Sequence, residues 1–168
     1  MTQSTIIGQR IPKLDAPDKA TGRATYGHDV RLPGMLHGRI LYSRHPHARV
    51  LSVDTSRAEQ LPGVKAVLTA VDNPHTRFGY GKDNTSFKGD IVRSLRDEVA
   101  GVVAIDQDIA EEALALIDVE YEPLPAILTV ADALEEGAPR IHPERKSNRF
   151  HTYNYKHGDI VTGEAASD

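Results

Sequence analysis

The stretch from Val99 to Tyr121 constrains this chain more than any other. Val99 to Ile105 is an unbroken apolar run, long enough for a strand, and it stops at Asp106. Asp106 is suited to cap a helix. From Gln107 to Ile117 the apolar residues fall at Ile109, Ala110, Ala113, Leu114 and Ile117, with Glu111 and Glu112 opposite. That spacing gives a helix with one buried stripe. Val119 to Pro125 then reads as a strand ended by prolines. Strand, helix and strand in so short a span predict a compact α/β unit. The fold class expected is α/β: an α+β mixed sheet with helices.

The flanking sequence adds strands. Leu36 to Tyr42 and Ala48 to Val53 alternate or are β-branched. A short helix is predicted from a cap at Thr55 or Ser56 through Gln60, stopped by Pro62-Gly63. Val64 to Val71 is apolar on both parities except at Lys65 and Thr69, which predicts a strand buried on both faces. Residues 73–90 form a long polar loop with Gly79, Gly81 and Gly89. Val130 to Glu136 predicts a short helix closed by Gly137. Turn residues crowd the start of the chain, and Asp18 to Gly22 reads as a turn. The expected organisation is an extended arm over 1–34 that lies on another surface, a core over 35–137, and an irregular polar tail over 138–168 with no terminating element.

Composition narrows the class of function. With 168 residues, 39% hydrophobic and 26% charged, the chain can build one domain with a real core. No apolar run nears the roughly 20 residues that span a bilayer. Met1 to Thr5 lacks a basic region followed by an apolar stretch. A soluble, cytoplasmic protein with no membrane contact is therefore expected. The chain has no cysteine, so this segment holds no disulfide, thiolate metal site or iron–sulfur cluster. The net charge is −4, and Arg93 to Arg96 and Arg145-Lys146 are too short for a nucleic-acid stripe.

Candidate chemistry is sparse. His45-Pro46-His47 places two imidazoles on the same side of an extended chain, an arrangement that suits joint metal ligation or a hydrogen-bonded turn. No third ligand stands at a recognisable spacing. His142, His151 and His157 fall in the tail, where solvated or packed histidines are the rule. Phe78 to Asp83 is glycine-rich but lacks the Gly-Lys-Ser/Thr ending of a phosphate loop. Glu120 and Glu122 alternate on one strand, which fits an acid and base pair or a solvated face. No nucleophile elbow, Cys–His pair or His-Glu-x-x-His motif is present. The residues thus assign no catalytic, cofactor-binding or metal-ligating position.

Several segments in order resemble one family. Gly8 to Asp15, Asp18 to Tyr26, Asp29-Val30 and Leu36 to Ser43 are similar to the opening of molybdenum hydroxylase large subunits. His45 to Val50, Pro62 to Val67, Asp97 to Ala104, the helix with Ala110 and Ala113, and Val119 to Pro125 continue the likeness. This is the xanthine dehydrogenase and aldehyde oxidase family, and the region resembles its α/β hammerhead domain. The pattern looks closest to the 4-hydroxybenzoyl-CoA reductase and bacterial xanthine dehydrogenase-like branch.

The resemblance implies a part of a multisubunit oxidoreductase that acts on an aromatic heterocycle, aldehyde or aromatic acyl-CoA. It implies a molybdenum–pterin (molybdopterin) cofactor bound downstream of this segment, with iron–sulfur clusters and FAD on other domains or subunits. Expected partners are the molybdopterin-binding region of the same subunit, iron–sulfur and FAD subunits, and a small-molecule substrate. The family's catalytic glutamate also lies downstream, so none is carried over and the segment alone is expected to be inactive. The chain is expected to be a fragment or excised domain. One departure is Ser94 to Glu98, where the family shows a Gly-Asp/Glu-Pro turn. Two other readings remain at this point: a stand-alone binding module that uses loop 73–90, and a small metalloenzyme built on His45 and His47.

Overall fold

The structure, a computed structural model, describes residues 7–73 and 76–167. The first six residues of the predicted arm, two residues of the predicted loop and the final Asp168 lie outside the described residues. The chain divides into two compact units, residues 1–36 and 37–168.

The first unit is held by short-range bonds. Helix α1 (Ala16–Ala20) carries Pro17 in its first turn and is followed by Gly22, whose φ of 72° favours a residue without Cβ. Asp18 O receives the amides of both Arg23 and Ala24. The predicted turn at Asp18 to Gly22 is therefore the end of a helix and its exit. A single 3₁₀ turn at Gly27–Asp29 is closed by the Asp29 carboxylate, which accepts from the Tyr26 amide at 2.9 Å.

Among the described residues the second unit contains six strands in two antiparallel sheets. In chain order its elements are β1 (His37–Tyr42), β2 (Ala48–Asp54), α2 (Ser56–Glu59), β3 (Val64–Thr69), β4 (Ile91–Val92), β5 (Glu98–Ala104), α3 (Gln107–Leu116), β6 (Asp118–Pro123), α4 (Val130–Leu134) and α5 (Ile160–Ala165). One sheet has the order β1-β5-β3 and the other β4-β2-β6. Odd-numbered strands form one sheet and even-numbered strands the other, so the chain changes sheet at every connection.

Strand β5 is the centre. Val99, Ala100, Val102 and Ala104 are essentially inaccessible to solvent. Ala100, Val102 and Ala104 cluster with Ala58 of α2 and with Ala110, Ala113 and Ile117 at α3. The alanines let helix and sheet approach closely, and each apolar side chain shielded here contributes at about 25 cal/mol per Å². The other face of β5 meets the Phe87 ring: a Cβ on Gly101 would lie 3.0 Å from Phe87 Cζ. A second cluster joins Ala48, Val50 and Val92 of the even-numbered sheet to Val99 of β5, and Val53 and Val119 pack against both clusters.

Helix α3 starts as expected: Asp106 accepts from the Asp108 amide at 2.8 Å. The Thr55 hydroxyl does not cap α2 but bonds Glu59, while Asp54 accepts from the Ser56 amide at 3.0 Å. The predicted strand–helix–strand run is present as β5, α3 and β6, and it bridges the two sheets. Two expectations need correction. Strand β3 is not buried on both faces; it is a sheet edge, and Leu68 is 40% exposed. The tail carries helix α5, which Asp159 caps by accepting from the Thr162 amide at 2.9 Å. Among the described residues no helix is long and apolar enough to cross a membrane.

Candidate functional site

The histidines of His45-Pro46-His47 have separate tasks. Ser43 accepts from the His45 amide at 3.0 Å and donates to the His45 carbonyl at 2.8 Å, which folds the segment into a tight turn. The His45 ring packs at 5.0 Å from the Tyr121 ring. His47 Nδ1 lies 2.6 Å from the Pro125 carbonyl. A carbonyl can only accept, so Nδ1 carries the proton there. The structure thus uses the two side chains to pin the start of β2 against the end of β6. Among the described residues no three His, Asp or Glu side chains gather as a metal site.

Beside this turn a cleft of about 470 Å³ opens between the end of α3 and the end of β1. Tyr42, Arg44, His45, Arg57, Asp118 and Tyr121 supply its polar lining. Burial raises the Tyr121 phenol above its ordinary pKa, against the opposing pull of the Ser43 hydroxyl and the Arg44 charge. Neither Arg44 nor Arg57 stands out in the sequence, since nothing in their spacing marks them as neighbours in space.

Glu120 and Glu122, both on β6, each face a β2 side chain across the ladder. Arg49 Nε donates to Glu122 Oε2 at 3.0 Å, and Ser52 Oγ lies 3.4 Å from Glu120 Oε2. Both contacts follow from the β2–β6 register, Arg49 opposite Glu122 and Ser52 opposite Glu120. All four side chains face solvent, where such pairs contribute little.

Loop 76–90 and the tail form one interlocked surface. Phe78 bridges Asn84 to close the glycine-rich turn, in which Gly79 has φ 84° and Lys82 has φ 47°. Asp83 accepts from Arg145 at 3.0 Å, with the His142 ring at 3.7 Å. The Arg145 guanidinium sits 4.0 Å above the Phe150 ring. Tyr80 meets Phe150 edge-on at 5.9 Å and shares a hydroxyl–hydroxyl bond with Tyr153. That bond raises the Tyr153 phenol above its ordinary pKa. The His151 ring packs against Tyr153 at 4.2 Å, tilted by 49°. His142 also approaches Glu144 at 3.3 Å, and Glu144 is held below the usual carboxylate range by its own backbone amide first and then by His142. His157 is exposed.

The Ser94 to Glu98 departure has a structural solution. Asp97 Oδ2 accepts from the Arg93 amide at 2.6 Å, and Ser94 Oγ accepts from the Arg96 amide at 3.1 Å. Side chains thus close a turn that needs neither glycine nor proline. Arg93 Nε then reaches the Ile141 carbonyl at 2.9 Å and fastens the tail to β4.

Comparison with known proteins places these features. Residues 21–125 match the family described as aldehyde oxidase and xanthine dehydrogenase, a/b hammerhead domain. The chain is 40% identical over 156 residues to a probable xanthine dehydrogenase subunit of Bacillus subtilis (strain 168), covering 92% of this chain and 21% of that protein. It is 37% identical over 157 residues to the nicotinate dehydrogenase large molybdopterin subunit of Eubacterium barkeri, covering 92% of this chain and 36% of that one. The crystal structure of quinoline 2-oxidoreductase from Pseudomonas putida 86 superposes with a TM-score of 0.72 at 33% identity, over 82% of this chain and 19% of that one. The chain therefore spans well under half the length of the relatives it matches.

Proposed function

Because the chain belongs to the aldehyde oxidase and xanthine dehydrogenase family, through its a/b hammerhead domain, we propose that it serves as the non-catalytic front portion of a molybdenum-dependent oxidoreductase. The observation that carries this reading is the match to the hammerhead domain over most of the second unit, together with relatives several times longer. The proposed reaction is hydroxylation or dehydrogenation of an aromatic heterocycle, aldehyde or aromatic acyl-CoA in the cytoplasm.

No residue of this chain is proposed to hold the molybdenum–pterin group. Among the described residues no group of three His, Asp or Glu side chains is placed to hold a metal ion. The cofactor's binding region, the iron–sulfur clusters and FAD are proposed to lie in other parts of the enzyme. When bound, the cofactor supplies the redox chemistry at substrate carbon. The part proposed for this chain is mechanical. The arm over 1–34 and the tail over 138–168 lie against the molybdopterin-binding region and help wall the substrate entrance. Exposed apolar side chains along both, such as Ile11, Leu32 and Tyr155, favour such packing.

The test is native mass with molybdenum analysis of the protein purified from its source cells. A large assembly with stoichiometric molybdenum is expected. A free chain of 168 residues without molybdenum would overturn the reading.

A further inference from the structure

A second cleft, of about 530 Å³, lies between the end of α4 and the tail. Arg140, Lys146 and Arg149 all line it, and Glu135 is the one acid among its lining residues. None of these three cations has an ion-pair partner among the described residues. Arg140 is steadied by a bond from Nη1 to the Arg145 carbonyl at 3.0 Å. The cationic bias is local. Arg140, Arg145, Lys146, Arg149 and Lys156 face a single acid, Glu144, within 140–157, whereas the whole chain carries −4.

The frame of this cleft is fixed by one amide. Asn148 Nδ2 donates to the Ala133 carbonyl at 3.0 Å and to the Pro139 carbonyl at 2.9 Å. Its Oδ1 accepts from the Ile141 amide at 2.9 Å. The residue is half-buried, and its three bonds tie the end of α4 to both sides of the following loop. Adjacent positions Lys146, Ser147 and Arg149 are thereby presented from a held backbone. Like charges gathered without a counter-charge repel, and an anion in the cleft would relieve that repulsion. Two planar guanidinium forks and an ammonium are donors only, and they suit an oxyanion with several oxygens.

We propose that this cleft binds a phosphoryl group, either as free phosphate or as part of a diphosphate-bearing ligand. A polyacidic peptide, the other polyanion that such donors suit, is an outcome that the test separates.

The experiment is a titration of the chain followed by backbone amide NMR at low ionic strength, with sodium chloride at matched ionic strength as the reference. The probes are inorganic phosphate, pyrophosphate and an oligoglutamate peptide. Phosphate and pyrophosphate are expected to shift amides over 134–149 saturably, beyond the chloride response. Tighter binding of pyrophosphate assigns the source to a diphosphate-bearing ligand, and equal binding assigns it to free phosphate. The double variant Arg140→Gln/Arg149→Gln is expected to weaken binding at least tenfold while the α3 and β5 amides keep their positions. A phosphate response no larger than chloride's, a response that the double variant leaves unchanged, or binding of oligoglutamate alone would each overturn the proposal.

Discussion

The ammonium of Lys88, only 6% exposed, donates to the side-chain oxygen of Asn84 at 2.7 Å. It also donates to the Thr85 carbonyl at 2.7 Å and lies 3.9 Å from Glu98 Oε2. A buried cation is therefore the knot between loop 76–90 and the start of β5. Lys88→Met keeps the aliphatic stem but leaves these acceptors without a donor. The variant is expected to lose about 1–3 kcal/mol, the usual cost of stranded buried acceptors. Urea denaturation reads the loss, and hydrogen exchange over 82–88 should quicken.

Gly63 occupies φ 99°, and a Cβ there would lie 2.8 Å from Ile109 Cδ1 and 3.2 Å from Ile105 Cγ1. Backbone strain and overlap with the α3 side act together. Gly63→Ala is expected to destabilise by about 1–3 kcal/mol. The thermal midpoint of the variant against the parent checks this.

Tyr121 is raised by burial, so its folded-state pKa lies above the unfolded value. The stability it contributes is fully present below the unfolded phenol pKa, and it is lost as pH rises through the folded one. Folding stability should therefore fall in the alkaline range. Tyr153 shifts in the same direction through Tyr80. The Tyr121 share is isolated by subtraction: Tyr121→Phe should show a shallower alkaline decline than the parent in stability measured against pH.

Asn148→Ala removes the three bonds that frame the tail cleft. A local loss of about 1–2 kcal/mol is expected. Amide exchange over 133–149 should rise while β5 stays protected, because β5 belongs to a separate cluster of contacts.

Strands β1, β2, β5 and β6 and helix α3 were legible because each carries its own periodicity and punctuation. Asp106 and Pro62-Gly63 mark boundaries by local chemistry alone. Strand β3 misleads because an apolar run does not state whether a second neighbour exists; as an edge it leaves Leu68 half open. Strand β4, two residues long, offers no period to read. The loop–tail contacts were beyond reach for another reason. Asp83 and Arg145, or Tyr80 and Tyr153, are far apart in sequence, and no spacing rule joins them. The same holds for the cleft cations, which the sequence shows only as a thin scatter of charge. The family likeness was legible as a series of short segments in order, none of them decisive alone.

The alternation of strands between two sheets has a kinetic consequence. No pairing joins strands that follow one another in the chain, so neither sheet contains a hairpin that could form early and recruit the rest. Even the shortest closure, Thr69 with Ala100, must bring together residues separated by roughly thirty positions before any ladder bond repays the lost chain entropy. The pairing of Ala48 with Pro123 spans more than twice that. High contact order of this kind places folding on the slow side, with β5 as the late hub onto which β1 and β3 both zip. During synthesis β1 and β3 emerge before the strand that joins them, and their unpaired edges stay exposed until β5 arrives.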